Sequence, residues 1–312
     1  MVKLSKVAIL ASALLASSSQ ASAEPSSQAQ SSRPSAARGQ RVAVNGIDYY
    51  YELHGAGEPL LLLHGGLGTI GMFGPVLTEL AQNRLVIAVD LQGHGRTPLG
   101  ARPFRLESIA DDMAELLVRI GHPHVDVMGY SLGGGVGLRL ALQKPARVRK
   151  LVLVSTTFSD DGYYADIRAQ QRQISRKLVP QMKSTPMYRS YVAVAPKPAD
   201  FPRLLDAVAD FMRQKYDWSA ELSKLTAPVM LVYGDSDTFK PEHEIEFYRL
   251  LGGGRADPGW HRENMPTNRL AILPDMTHYE IFCSPRLVST VLPFLSGASK
   301  VKSPAEQVRE AR

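Results

Sequence analysis

The stretch "DVMGYSLGGGVGLRLAL" (residues 126–142) places one serine, Ser131, between glycines at the point where an apolar run ends. The run up to Tyr130 has the character of a buried strand, and the residues after Ser131 have that of a helix. Glycine costs a helix roughly 1 kcal/mol relative to alanine, yet this helix would begin with several glycines. The pattern therefore predicts a tight junction of strand, turn and helix around Ser131 that only glycine permits.

Similar apolar runs recur on both sides of that stretch. The runs that predict buried strands cover residues 59–66, 84–95, 124–130, 148–156, 227–235 and 268–275. Helices are predicted for residues 72–82, 106–121, 132–145 and 285–296. Residues 41–55 flank Asn45-Gly46, a dipeptide typical of a β-hairpin turn. Strands that alternate with helices predict an α/β fold with a mostly parallel central sheet and helices on both faces.

The two ends of the chain predict segments outside this domain. Residues 1–23 combine Lys3 and Lys6, an apolar run and small residues up to Ala23, which is typical of a cleaved signal peptide. An uncleaved anchor or a disordered start is the alternative. Residues 24–40 predict a disordered linker, 41–297 one domain, and 298–312 a flexible C-terminal tail. We therefore expect an exported protein, periplasmic or secreted, with no membrane span after cleavage.

Two long connections depart from the simple alternation of strands and helices. Residues 157–223 separate two predicted strands, are helical in character and are rich in aromatic residues and methionine. We expect them to form a cap insertion, whose apolar side chains either line a hydrophobic lid or only pack the insertion onto the core. Residues 252–268 form a polar, glycine-rich loop, which we expect to border the entrance of a site.

Composition and charge argue against several classes of protein. The formal net charge is +6, but no basic block alternates with aromatic residues, so nucleic-acid binding is not expected. The single cysteine, Cys283, excludes an internal disulfide and is expected to be a buried structural thiol. No phosphate-binding loop, dinucleotide fingerprint or metal-ligand spacing is present in the sequence, so neither a cofactor nor a metal is expected.

Ser131 has the sequence surroundings of an activated nucleophile. Gly-x-Ser-x-Gly between a strand and a helix is the pattern of a nucleophile elbow, where the helix N-terminus favours developing negative charge. A serine hydroxyl needs a histidine base, and the base needs an acid to orient it. His278 follows the last predicted strand, and Asp235 and Asp237 follow the strand before it. Such positions lie at the carboxyl ends of parallel strands, where sites in open α/β folds assemble.

Together these pieces resemble the α/β-hydrolase family. The matching motifs are "LLLHGG" (61–66), "DLQGHGRT" (90–97), "GYSLGG" (129–134), "GDSD" (234–237) and "LPDMTHY" (273–279), and the resemblance spans nearly all of residues 41–296. It implies the serine-nucleophile, esterase-like branch of that family and the α/β-hydrolase fold. It further implies Asp237 as the acid, with Asp235 as the alternative, and an oxyanion hole formed by the backbone N–H groups of Gly66 and Leu132.

The resemblance implies a serine hydrolase that cleaves carboxylic esters through Ser131, His278, Asp237 and an acyl-enzyme. A small-molecule ester with a hydrophobic or aromatic part is the expected substrate. The same triad would also serve C–C bond, lactone or amide hydrolysis or perhydrolysis, and a non-catalytic ligand-binding member of the fold is a further alternative. His64 and His94 are expected to brace loops. The side chains that either line the pocket or belong to the core are Met72, Phe73, Tyr130, Phe239 and Tyr279.

Overall fold

The computed structural model describes residues 39–297 and 304–310. The predicted signal peptide (1–23) and nearly all of the predicted linker (24–40) lie outside the described residues and stay predictions. Gln40 already belongs to the first strand, one residue before the predicted start of the domain. Within the tail that the sequence predicts to be flexible, residues 304–310 form a helix, because Pro304 suits the first helical position and strong helix formers follow it.

An eight-stranded sheet forms the centre of the fold. Its strands are β1 (Gln40–Val44), β2 (Ile47–His54), β3 (Pro59–Leu63), β4 (Leu85–Val89), β5 (Val125–Tyr130), β6 (Val148–Val154), β7 (Val229–Ser236) and β8 (Arg269–Thr277). Their order in the sheet is β1-β2-β4-β3-β5-β6-β7-β8. β1 and β2 form the predicted hairpin, β2 is antiparallel to β4, and the remaining pairs are parallel. The predicted α/β architecture is confirmed.

Helices connect the strands. They are α1 (Pro75–Ala81), α2 (Leu106–Arg119), α3 (Leu132–Gln143), α4 (Ala165–Arg172), α5 (Val179–Met182), α6 (Pro186–Val194), α7 (Phe201–Arg213), α8 (Pro241–Leu250), α9 (Pro285–Ser296) and α10 (Pro304–Glu310). The helix predicted from residue 72 begins only at Pro75, because Gly74 has a φ of 49° and separates α1 from a 3₁₀ turn. Within residues 39–297 and 304–310, no helix combines the length and apolar character that a bilayer crossing requires.

The apolar run of β3 shows how helices cover both faces of the sheet. Leu61 and Leu63 belong to a buried cluster with side chains of α2 and α3. Leu60 and Leu62 belong to a second cluster with side chains of α1 and α9. Successive side chains of a strand point to opposite faces, so a strand covered on both faces must be apolar throughout. Full burial of each leucine stabilises the fold by about 2 kcal/mol.

The insertion between β6 and β7 carries α4 to α7 and occupies the region predicted as a cap. Its start pairs with the segment that follows β7. The N–H of Lys240 donates to the carbonyl of Gly162 at 2.9 Å, and Tyr163 forms an isolated antiparallel bridge with Phe239. The buried face of α7 packs the insertion onto the core through Phe201, Leu204, Leu205 and Val208.

The loop of residues 252–268 lies at the amino ends of the parallel strands β7 and β8, whereas the sequence predicts a position near their carboxyl ends. β7 and β8 are parallel, so the segment that enters β8 lies where β7 begins. There the side-chain carbonyl of Asn268 accepts a hydrogen bond from the N–H of Val229, the first residue of β7, at 2.7 Å. The expectation that this loop borders the entrance of a site at the carboxyl ends of the strands is therefore wrong.

Asp112 on α2 ties the β1–β2 hairpin to the helical layer, and its replacement is expected to destabilise the fold. The buried carboxylate accepts hydrogen bonds from the hydroxyl of Tyr49 at 2.6 Å, from Nδ2 of Asn45 at 2.8 Å and from Arg102. Asp112→Ala leaves these donors without their acceptor, so we expect the free energy of unfolding to fall by about 3 kcal/mol. Urea denaturation measures this loss.

The neighbouring Asp111→Ala is the matched control for that experiment. Asp111 is half-exposed, makes a surface ion pair with Lys144 at 3.3 Å and accepts a hydrogen bond from Nε2 of Gln143 at 3.0 Å. Such pairs contribute about 0–1 kcal/mol, so its loss of stability should be at least threefold smaller. Equal losses in the two variants would contradict a structural role for the Asp112 network.

Candidate active site

Ser131 lies on a sharp turn between β5 and α3. Its φ and ψ are 51° and −117°, which is a strained conformation for a residue with a side chain. A Cβ on Gly129 would lie 2.3 Å from the carbonyl oxygen of Gly133, and a Cβ on Gly133 would lie 2.4 Å from that of Leu63. The flanking glycines are therefore required, because strand, turn and helix backbones touch at these two positions.

The structure brings Ser131, His278 and Asp237 together. Nε2 of His278 lies 3.1 Å from Oγ of Ser131, and Nδ1 of His278 lies 2.9 Å from Oδ1 of Asp237. The serine follows β5, the aspartate follows β7 and the histidine follows β8. Since these strands are parallel, their carboxyl ends meet at one edge of the sheet, as the sequence predicts.

Asp237 is a fully buried carboxylate with several donors. Ser155 Oγ donates to Oδ2 at 2.5 Å, and the N–H of Thr238 donates to Oδ1 at 2.7 Å. Burial by itself raises the pKa of the Asp237 carboxyl. The charge and hydrogen bond of His278 and the donors from Ser155 and Thr238 outweigh burial, so the pKa lies below its ordinary value. Asp237 is therefore ionised and able to hold Nδ1–H of His278.

Asp235 makes other contacts. Its exposed carboxylate accepts hydrogen bonds from the N–H groups of Asp275 at 3.0 Å and Met276 at 3.2 Å, and these bonds lower its pKa. Asp235 thus joins the end of β7 to the last residues of β8, while Asp237 alone of the two contacts His278.

Gly66 and Leu132 lie on two segments that meet beside Ser131. Leu132 is the first residue of α3, so its N–H lies in the first turn, where a helix has no internal acceptor. Gly66 lies in the loop after β3, and a Cβ placed on it would be 3.7 Å from the Leu132 side chain. Both residues line the same cavity as Ser131.

Buried side chains brace the loop that carries Gly66. The N–H of Ile70 donates to Oδ1 of Asp90 at 2.8 Å, and the N–H of Leu91 donates to Nε2 of His64 at 3.0 Å. Because Nε2 accepts, the proton of His64 is on Nδ1, which lies 2.8 Å from the carbonyl oxygen of Gly65. Burial lowers the pKa of His64 to about 4, so this histidine is a neutral structural residue.

A cavity of about 930 Å³ opens above Ser131 and His278. Of the five side chains weighed from the sequence, Met72, Tyr130, Phe239 and Tyr279 line it. Phe73 does not: it is 1% exposed and packs among the side chains of α1 and α9, because the 3₁₀ turn directs neighbouring residues to opposite sides. The cap supplies most of the apolar wall through Tyr163, Ile167, Ile174, Met187, Phe211 and Trp218.

Cys283 differs from the buried structural thiol expected. It is half-buried and lines the cavity, and its Sγ donates to the carbonyl oxygen of Glu280 at 3.3 Å. Burial raises the pKa of the thiol, which therefore stays protonated at neutral pH.

Two hydroxyl residues of the site, Ser155 and Thr238, are not predicted from the sequence. Ser155 follows β6 and, with Thr238, holds Asp237; Thr238 Oγ1 also lies 3.3 Å from Nδ1 of His278. The available signal is positional, because Ser155 lies at the end of the predicted strand 148–156 and Thr238 follows the predicted strand 227–235, at the edge where the triad assembles. Within residues 39–297 and 304–310, no group of three or more His, Cys, Asp or Glu side chains has the arrangement of a metal site.

Comparisons with known proteins agree with this fold. A sequence model of the α/β hydrolase fold matches residues 58–186. The chain is 30% identical over 213 residues to the Azorhizobium caulinodans protein named "Putative carbamate hydrolase RutD", across 63% of this chain and 80% of that relative. It is 27% identical over 282 residues to the pimeloyl-(acyl-carrier protein) methyl ester esterase of Nitrosospira multiformis, across 80% of this chain and 98% of the relative.

A solved structure shows the same architecture. A thermophilic esterase from Thermogutta terrifontis superposes with a TM-score of 0.64 at 20% identity, over 83% of this chain and 98% of the other. The chain belongs to the α/β-hydrolase fold family. It is an enzyme of the hydrolase class.

Buried neutral histidines predict a loss of stability in mild acid. Burial lowers the pKa of His64 to about 4, of His94 to about 3 and of His243 to about 4, from an ordinary value of 6.5. In the unfolded chain these histidines therefore bind protons below about pH 6.5, whereas in the folded chain they bind them only near pH 4 and below. We expect the free energy of unfolding to fall across this window, by up to about 1.4 kcal/mol per pH unit for each histidine.

Urea denaturation at a series of pH values measures this slope, and one variant isolates a single histidine. His94→Asn removes one titrating group, so its slope should be shallower by up to about 1.4 kcal/mol per pH unit. His124→Asn, at an exposed position, should keep the wild-type slope. An unchanged slope in His94→Asn would contradict the assignment of a neutral buried His94.

Proposed function

We propose that the protein hydrolyses carboxylic esters through Ser131, His278 and Asp237 and an acyl-enzyme intermediate. The observation that carries the proposal is the continuous chain of contacts from buried Asp237 through both nitrogens of His278 to Oγ of Ser131, at the base of an apolar cavity. This arrangement supplies a nucleophile, a base and an orienting acid in one line.

The first half-reaction transfers the acyl group to the serine. His278 Nε2 takes the proton of Ser131 Oγ as the oxygen attacks the ester carbonyl carbon. The carbonyl oxygen becomes an oxyanion and is held by the N–H groups of Gly66 and Leu132; one such donor contributes about 3 kcal/mol of transition-state stabilisation. The C–O bond to the alcohol then breaks, and the alcohol leaves with the proton from Nε2.

The second half-reaction releases the acid. A water molecule gives a proton to Nε2 of His278 and attacks the acyl-enzyme, and the tetrahedral intermediate collapses with return of the proton to Ser131 Oγ. Asp237 accepts the hydrogen of Nδ1 throughout. It therefore keeps Nε2 free to accept a proton and stabilises the charged form of the ring.

The cavity supports a hydrophobic or aromatic ester as substrate. Its walls are mainly apolar and its volume is that of a site for a small organic molecule. Among the described lining residues, Arg96 and His278 are the basic side chains and no carboxylate is present. The match to a methyl ester esterase over most of both chains supports an ester as the bond cleaved.

Cleavage of a carbamate or amide bond is the second candidate, because the relative at 30% identity is named for carbamate hydrolysis. Matched substrates distinguish the two: a p-nitrophenyl ester, a p-nitrophenyl carbamate and a p-nitroanilide of similar size. A higher kcat/KM for the ester supports the proposal. A preference for the anilide would overturn it in favour of C–N bond cleavage. A preference for the carbamate, which releases p-nitrophenol by cleavage of a C–O bond, would overturn it in favour of carbamate hydrolysis.

Ser131→Ala and His278→Ala are each expected to lower kcat by at least about 10⁴-fold, because either change removes the same activated nucleophile. The double variant should lose no more than the more impaired single variant. Steady-state kinetics on the preferred ester measure the loss, and thermal unfolding checks that the fold persists. A fluorophosphonate probe should label the wild type at Ser131 and leave Ser131→Ala unlabelled.

Asp237→Asn and Asp235→Asn form a matched pair at the end of β7. An asparagine at 237 can donate to Nδ1 of His278 and would place the ring proton on Nε2, where it blocks uptake of the serine proton, so we expect kcat to fall by about 10³-fold or more. Asp235→Asn should stay within about threefold of the wild type, since its oxygen can still accept one backbone bond. The reverse ranking would reassign the acid.

A further inference from the structure

Tyr130 is the last residue of β5 and directly precedes Ser131. It is 5% exposed, and the surface that remains faces the cavity. The residue before the serine has no part in the reaction as described above. Its contacts nevertheless reach both of the other segments that the reaction needs.

The first contact is made by the hydroxyl of Tyr130. It donates a hydrogen bond to the backbone carbonyl oxygen of His278 at 2.6 Å. A carbonyl oxygen can only accept, so the phenol must stay protonated to keep this bond. Burial raises the pKa of Tyr130 well above its ordinary value, and the hydroxyl therefore stays protonated at neutral pH.

The second contact is made by the ring of Tyr130. A Cβ on Gly65 would lie 2.6 Å from Cε1 and 2.8 Å from Cδ1 of the ring, so the ring lies against the backbone of the loop that carries Gly66. Its centroid is 5.2 Å from that of His278 and 4.8 Å from that of Phe282. The ring thus fills the space between the Gly65–Gly66 loop and the segment after β8.

Other contacts hold the histidine segment in different ways. Thr277 and Glu280 bond to each other within that segment, and Asp235 joins the end of β8 to β7. The hydroxyl of Tyr130 is the contact that joins the backbone of His278 to the strand that carries the nucleophile.

We propose that Tyr130 is a positioning residue that sets the distance between His278 Nε2 and Ser131 Oγ, and that it acts through its bond to the His278 carbonyl and its packing on Gly65. This inference rests on the proposed function of the triad. It predicts that loss of the hydroxyl impairs proton transfer while the cavity keeps its shape, because the ring stays in place.

The test is Tyr130→Phe, with Tyr51→Phe as the matched control. Tyr51 is also largely buried, and its hydroxyl donates to the side chain of Gln40 at 2.9 Å, away from the triad. We expect Tyr130→Phe to lower kcat by about tenfold, the factor that follows from losing one hydrogen bond and slightly misplacing the base, with KM within about twofold. Tyr51→Phe should keep the wild-type kcat. Thermal unfolding of both variants checks the fold.

A second measurement needs no turnover. Proton NMR follows the Nδ1–H of His278, which is bonded to Asp237, and its rate of exchange with water should rise in Tyr130→Phe and stay unchanged in Tyr51→Phe. The rate of fluorophosphonate labelling at Ser131 should fall by the same factor as kcat. Wild-type kcat, labelling rate and exchange rate in Tyr130→Phe, or a change confined to KM, would overturn the inference and leave Tyr130 as part of the cavity wall.

The two proposals fail separately. A wild-type protein that neither cleaves esters nor reacts with the fluorophosphonate overturns the proposed function. The exchange rate of the His278 Nδ1–H in Tyr130→Phe then still decides whether Tyr130 positions the imidazole.

Discussion

The backbone conformation of Ser131 is the constraint on which the rest of the site depends. A φ of 51° at a residue with a side chain costs about 1–3 kcal/mol, and the surrounding structure must hold it in place. The N–H of Ser131 donates to the carbonyl of Val154 on β6 at 2.9 Å, and the hydroxyl of Thr156 donates to the carbonyl of Ser131 at 2.5 Å. The residue is thus fixed from the neighbouring strand as well as by the glycines at 129 and 133, and its side chain is directed to the cavity.

The buried charge of Asp237 depends on hydrogen-bond donors from several strands of the sheet. Desolvation opposes the ionised form of this carboxylate, and its donors come from the end of β6, the segment after β7 and the segment after β8. No one of these elements provides enough hydrogen bonds to keep a fully buried carboxylate charged. The carboxylate therefore stays ionised in its buried position because donors from all three segments are in place.

The sequence predicted the fold, Ser131 and His278 because their signals are local, whereas the preference for Asp237 over Asp235 came from the family resemblance. Apolar runs, their length and the glycines around Ser131 are read within a few residues, and the order Ser131, Asp237, His278 follows from strand order. Met72 and Phe73 could not be told apart, since the phase of a 3₁₀ turn decides which of two neighbours faces the cavity. Ser155 and Tyr130 were missed as holders of the triad because their partners are distant in the chain, which only the folded sheet reveals.

The pairing of Gly162 and Tyr163 with Phe239 and Lys240 has a consequence for access to the cavity. Phe239 and Lys240 directly follow Asp237 and Thr238 in the chain. A displacement of the paired part of the cap would therefore also move the carboxylate of Asp237 away from the imidazole of His278. Farther along the insertion, Met187 and Ser190 of α6 line the cavity. The start of the cap is therefore anchored by backbone pairing to the segment that carries Asp237.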